Sequence, residues 1–487
     1  MNGQSAPATL RASRLVGLIG AALVGAQVSQ IAWLVLGSRV MRAEDFGAVL
    51  AAQALYAVMQ NPLDIGTAFL GGRRSARGEV DDDVRGSLTR TRLTIALLAG
   101  LALVTVIIAG GAHAAAAMSP FLLALPLFAL LNVWERYGTG DARPFAAYTL
   151  LRSAGPAVAA GVCFGLGLDF PLPLAGAIEC ATIVIVMAAF GLRPLHLASL
   201  ASRARRTELK AVAGIGVPSI LSQVNLSVGT ILLSISGANV AAAAFAVALR
   251  LLTGLNSLVG VLSTALFPRL SIAREADTVA DARAVGLTLR LVSGVSGLAL
   301  AFVVLGAAPL SRLFLNNPPE GAQATLILAL ATLPATAGTV AITMSLIARG
   351  SEGAVLRPYA FGAAATVLGS GVVLLAAGGD PIAMTIPLIV AQPLVLFGVW
   401  RRLPVVFPPL FAPARAALVD AGALLGLGAL AAATEGPAQV GAAIAAAGLA
   451  VFRVAEPARV TLRSISARAG PESLPPSARS SDIKRMK

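Results

Sequence analysis

Arg250 lies inside the apolar stretch 239–267, eleven residues from its start, or about 17 Å along an α-helix. At that depth in a bilayer core of about 30 Å its guanidinium cannot readily reach the headgroups, so it faces a cavity or a partner. An arginine in such a place offers two parallel hydrogen bonds to a phosphate or carboxylate. Arg152 lies six residues into the stretch 146–167, near enough to the headgroups for its long side chain to snorkel. Four amides share the same kind of setting: Gln27 and Gln30 in the stretch 15–37, and Gln223 and Asn225 in 211–235. They either join helices or line a cavity where they receive hydroxyl groups. Asn256 follows Arg250 by six residues, about 120° around a helix, so the two need not line one wall. Asp64 closes the string Gln60-Asn61-Pro62-Leu63-Asp64, where Pro62 removes a backbone hydrogen bond and predicts a kink. Its carboxyl is either a protonation site in an ion-coupled cycle or the partner of an arginine such as Arg73. Glu179 and Asp420 are candidates of the same kind.

The residue types that enzymes need are missing or misplaced. The two histidines, His113 and His196, fall at the ends of apolar stretches, and no phosphate-cradling Walker sequence occurs. The run Asp81-Asp82-Asp83 sits in a loop with six arginines and reads as a solvated, charge-balanced segment. Cys163 and Cys180 both lie in apolar runs and read as small apolar residues, because a disulfide framework or metal site needs more ligands at closer spacing. The expectation is a chain with no catalysis, no cofactor and no metal.

What must position the polar residues is a set of membrane-crossing helices. Of 487 residues, 57% are hydrophobic and 12% charged, and mean hydropathy is +0.83; an average soluble domain carries roughly 25% charge. Backbone groups in lipid must be satisfied internally, so stretches this apolar are helices, and the alternation of membrane barrel strands is absent. Fourteen spans of about 20 residues are expected. The net charge of +14 would suggest nucleic acid in a soluble protein. Aromatics are only 5% and no basic cluster is interleaved with them, so no nucleic acid is expected. The charge is instead topological. With the N-terminus inside, 32 of the 37 Lys and Arg fall on the cytoplasmic side, and only Arg39, Arg42 and Arg312 fall outside. Such a bias predicts an even number of spans with both termini cytoplasmic. Arg11 and Arg14 precede a first run too long for a secretory signal, which predicts an uncleaved first helix. The outward loops are a few residues to a dozen residues long, so whatever this chain does happens within the membrane.

A repeat organises the spans. Ala26-Gln27-Val28-Ser29-Gln30 is matched 196 residues later by Ser222-Gln223-Val224-Asn225-Leu226. Six helices separate the two copies, so both enter the membrane in the same direction, which predicts parallel repeats about an axis along the membrane normal. The expected fold is all-α: a six-helix lobe over 1–210, a second over 211–400, two added helices over 401–466, and a disordered basic tail over 467–487.

Three strings resemble polysaccharide biosynthesis flippases. Leu36-Gly37-Ser38-Arg39-Val40-Met41-Arg42-Ala43-Glu44-Asp45-Phe46-Gly47 is similar to the end of their first helix. Leu63-Asp64-Ile65-Gly66 followed by Arg73-Arg74-Ser75-Ala76-Arg77 resembles the end of the second. Ala248-Leu249-Arg250 through Ala265-Leu266-Phe267-Pro268-Arg269-Leu270-Ser271 resembles the eighth and its exit. The resemblance implies a member of the multidrug, oligosaccharidyl-lipid and polysaccharide exporter superfamily, with two lobes around a central cavity and alternating access. It further implies a multi-pass protein of the bacterial inner membrane that moves undecaprenyl-pyrophosphate-linked oligosaccharide to the outer leaflet. Its partners would be that lipid-linked substrate, membrane lipids, and the polysaccharide polymerase and glycosyltransferases of the same route. Arg250 and Arg152 would then meet the diphosphate, and the amides the sugars. Two features depart from the pattern: many members have 12 spans, while fourteen resembles the peptidoglycan lipid II flippases, and this cavity is poor in cations. A cation-coupled multidrug exporter of the same superfamily, with Asp64 essential, is the alternative. A membrane-embedded polymerase or ligase is another, and the lack of a sizeable outer loop with Arg or His argues against it.

Overall fold

The computed structural model describes residues 8–63, 82–138, 141–192, 206–272, 278–348, 351 and 353–468. Among them no strand occurs. The helices are α1 (Ala8–Val40), α2 (Ala43–Asn61), α3 (Asp82–Leu130), α4 (Val133–Gly138), α5 (Arg143–Leu166), α6 (Leu174–Ala189), α7 (Arg206–Ile235) and α8 (Asn239–Ile272). The second half holds α9 (Thr278–Phe314), α10 (Ala322–Ala331), α11 (Leu333–Ala348), α12 (Gly353–Ala377), α13 (Thr385–Trp400), α14 (Phe411–Ala433) and α15 (Pro437–Arg468). The fourteen expected spans fall on these helices, two of them on α3 and one divided between α10 and α11; the stretch expected over 46–70 is described as far as residue 63. Among the described residues, eleven stretches are long and apolar enough to cross a bilayer; Leu174–Ala189 and Pro437–Arg453 are shorter apolar helices, and α2 has 19 residues.

Two spans are joined where the sequence separates them. α3 is helical over 49 residues, about 73 Å if straight, more than twice a bilayer core. It is not straight. Arg92 donates from Nη1 to the carbonyl of Leu131 at 2.9 Å and from Nη2 to that of Phe128 at 2.8 Å, although 39 residues of straight helix would hold Arg92 and Leu131 about 58 Å apart. The arms Val84–Ile108 and Ala115–Arg136 therefore lie side by side, and Arg92 satisfies carbonyls left open at the end of the second arm. Conversely, α10 and α11 form one span, Ala322–Ile347, interrupted at Thr332. At Pro62 the α-pattern of α2 stops and passes into a wider π-type turn, as expected where a backbone donor is lost.

Packing repeats in the two halves. The first crossing of each half runs along the fifth: α1 along α5, and α7 along α12. The fifth packs on the sixth in both, α5 on α6 and α12 on α13. Each half builds its own core. Trp33, Phe46, Tyr56, Phe121, Phe128 and Ile183 belong to the first, and Leu233, Leu252, Leu330, Val395, Leu403 and Leu424 to the second. α14 and α15 pack on α9, α10 and α11 and share the second core, where a buried pair joins them, Arg453 Nη2 to Asp420 Oδ1 at 2.6 Å. The halves meet chiefly through α2, which lies against both α7 and α8. The equivalent contact of α8 with α1 is slight, so the α1–α8 side of the junction is the looser one.

Candidate functional site

The junction is sealed along one stretch and partly exposed beyond it. Along α2 every residue from Phe46 to Ala52 is buried, and partial exposure begins at Gln53. Along α8 every residue from Ala242 to Leu249 is buried, and exposure begins at Arg250. The sealed segments are mostly small and apolar, and they approach closely. A side chain at Gly47 would collide with the backbone carbonyl of Asn239, and one at Gly229 would come within 2.6 Å of the Phe245 ring. Without a hydrophobic drive between helices in lipid, such small residues let backbones meet and supply the dispersion contact. Ala243, Ala244, Ala246 and Val247 of the second half are thereby incorporated in the first half's core. Beyond the seal lies a shallow depression lined by Ser38, Arg42, Phe46, Val240, Leu315 and Asn317.

Arg250 stands one residue past the end of the seal on α8. Its Nη2 donates to Oε1 of Gln53 at 2.6 Å, across the junction of the two halves. No ion pair joins Arg250 to a carboxylate among the described residues. Gln53 lies about 15 Å into α2 and Arg250 about 17 Å into α8, so both are near the bilayer midplane. Arg152 is near enough to Arg250 for the two like charges to repel.

Arg152 is anchored within the first half. Its Nε lies 3.4 Å from Oε2 of buried Glu179, and its guanidinium carbon is 5.6 Å from the Tyr56 ring centre and 6.0 Å from that of Tyr148, within reach of cation–π attraction. Oε1 of Glu179 accepts from the hydroxyls of Tyr56 at 3.1 Å and Tyr148 at 2.7 Å, and Gln60 Nε2 donates to the Tyr148 hydroxyl at 2.7 Å. A carboxylate with two hydroxyl donors and a guanidinium is compensated for its burial. Thus Arg152 has a carboxylate of its own, and the charge on Arg250 has only a neutral amide.

The amides divide. Gln223 Oε1 accepts from Asn61 Nδ2 at 3.3 Å across the junction, and its Nε2 donates to Ser227 at 2.9 Å. Asn225, two residues on and so about 200° around α7, faces its own half instead: its Oδ1 accepts from Thr366 of α12 at 3.0 Å, and its amide packs on Gly362. Gln27 packs on Gly254 of α8, where a Cβ would come within 2.8 Å of Oε1. Gln30, about 60° from Gln27 around α1, is half-buried. Asn256 Oδ1 is buried with no hydrogen-bond partner. Asp64 lies outside the described residues. Asp420 is taken up by Arg453 on the two C-terminal helices.

Gln53, Tyr56, Gln60 and Tyr148 are the residues that sequence reasoning missed. The available signal was spacing: Tyr56 and Gln60, and Tyr148 and Arg152, are each four apart, and so share a helix face in spans otherwise apolar.

No protein-family model matches the sequence and no curated protein does. Solved structures do. A multidrug resistance MATE family transporter of the MOP superfamily in its inward-facing conformation superposes with a TM-score of 0.56 at 17% identity, over 82% of this chain and 95% of that one. An outward-facing conformation, titled in the same terms, gives 0.55 at 18% identity over 85% and 96%. A MATE transporter from Vibrio cholerae gives 0.54 at 16% identity over 81% and 98%. At such identities the likeness is one of fold. The chain is a multi-pass membrane protein with the two-lobed helical fold of a transporter. More narrowly, the fold is that of MATE transporters.

Proposed function

We propose that the chain is an alternating-access transporter whose cargo is anionic and amphiphilic, with lipid-linked oligosaccharide the class that fits, and that it has no catalytic step. The arginine distribution supports α1–α2 and α7–α8 turns on the outside; on that reading the sealed end is outer and cargo enters from the cytoplasmic side of a bacterial inner membrane. The observation that carries the reading is Arg250, a midplane guanidinium whose positive charge no carboxylate offsets among the described residues. A diphosphate, which hydrocarbon would exclude, completes that site with charge-assisted hydrogen bonds. In this reading Gln27, Gln30, Gln223 and Asn256 receive sugar hydroxyls, while Asn225, bonded to Thr366 within its own half, is left to architecture. The loose α1–α8 side supports a lipid tail that stays in the bilayer while the headgroup crosses.

A second reading is a cation-coupled multidrug exporter. The similar structures, which are of multidrug resistance transporters, favour it over the first; the charge of Arg250, with no carboxylate partner among the described residues, favours the first. Coupling would need a carboxylate that exchanges its partner, which falls to Asp64, or to Glu179 if the tyrosines release it. Reconstitution separates the two. In proteoliposomes holding a fluorescent polyprenyl-pyrophosphate oligosaccharide, the chain should move the headgroup across the bilayer, and Arg250→Ala should abolish the movement while leaving the protein inserted. Drug extrusion driven by an ion gradient, with no lipid movement, would overturn the first reading in favour of the second.

A further inference from the structure

We infer that Gln53 is a cargo-displaced latch on the outer gate, standing in for the anionic headgroup when the site is empty; this rests on the anionic-cargo reading above. The seal above it, Phe46–Ala52 against Ala242–Leu249, is held mainly by close packing of small and apolar groups. Hydrogen bonds also cross between the halves, from Arg250 to Gln53 and from Asn61 to Gln223. The first lies one residue past the end of the seal. Opening the outer end separates α2 from α8 and must break it.

The chemistry of the acceptor makes this a latch rather than a lock. Gln53 satisfies one guanidinium donor and leaves the positive charge uncompensated. A phosphate does both, and accepts two parallel N–H groups. A headgroup arriving from the cytoplasmic side therefore outcompetes the amide for Arg250, which releases α2 from α8. Binding then shifts the gate because the cargo gains more when Gln53 has let go, the differential affinity that any such shift requires. A glutamate at position 53 would instead neutralise Arg250 permanently. Arg152 does not offer an equal site, because an arriving anion would have to share it with Glu179.

The test uses the full chain in proteoliposomes, with Cys163 and Cys180 replaced by alanine and a reporter Ala244→Cys in the seal, where Ala244 is 3% exposed. A membrane-impermeant maleimide added at the outer face reads gate opening. Without cargo, Gln53→Leu should label about tenfold faster than the parent, as expected for losing one hydrogen bond to a charged donor. Gln53→Glu should label more slowly and transport nothing. A polyprenyl pyrophosphate should speed labelling of the parent and have no further effect on Gln53→Leu. If the leucine and glutamate variants shift labelling in the same direction, or neither shifts it, the latch is overturned. Opposite shifts together with a parent indifferent to the pyrophosphate would uphold the latch and overturn the anionic cargo.

Discussion

The tyrosine pair around Glu179 makes an ordered prediction about stability. Tyr56→Phe removes one hydroxyl donor from a buried carboxylate and strands nothing else, since the hydroxyl's partner here is Glu179 alone. A hydrogen bond to a charged group contributes about 1.5–3 kcal/mol. Tyr148→Phe removes a shorter bond to the same oxygen and also takes the acceptor from Gln60 Nε2. Gln60 is 5% exposed, so its orphaned donor adds a desolvation cost of about 1–3 kcal/mol. Tyr148→Phe should therefore cost about 1–3 kcal/mol more than Tyr56→Phe. The assay is unfolding in mixed detergent micelles followed by tryptophan fluorescence, Trp33 reporting on the same lobe. A double-mutant cycle isolates the second cost: in a Gln60→Leu background the excess should vanish, because no donor remains to be stranded. Equal costs for the two tyrosines, or an excess that persists without Gln60, would refute the network as drawn.

Two further predictions separate architecture from transport. Asn225→Ala should lower stability by about 0.6–1 kcal/mol, the scale of an interhelical hydrogen bond in a membrane, and leave the transport rate unchanged in the proteoliposome assay, because its amide faces Thr366 and Gly362. Arg453→Ala should cost about 3–5 kcal/mol, since it leaves the Asp420 carboxylate buried and unpaired, while Asp420→Asn in that background should recover part of the loss in the same unfolding assay.

The spans were legible because lipid admits few backbone solutions, and the apolar runs announce themselves. The fold-back of α3 was legible as two stretches of crossing length even though its helix is assigned without a break. Arg250 was legible because a midplane charge costs free energy wherever it points. Gln53 was not: an amide in an apolar helix is cheap, and its partner is 197 residues away. Glu179 could be read as titratable, but its satisfaction by two tyrosine hydroxyls depends on how α2, α5 and α6 come together. The division between Gln223 and Asn225 was available from the 100° step of a helix, although which face belonged to the junction required the fold.

The attachment of α14 and α15 to α9, α10 and α11 makes the two halves unequal bodies in a viscous medium. The first half comprises α1–α6, whereas the second carries α14 and α15 in addition to α7–α13. In the alternating-access cycle proposed above, opposed rotations about a shared axis would divide in inverse proportion to drag, and the lighter half would sweep the larger angle relative to the bilayer. That half carries α1 and α2, and with them one wall of the loose α1–α8 side and the Gln53 end of the seal.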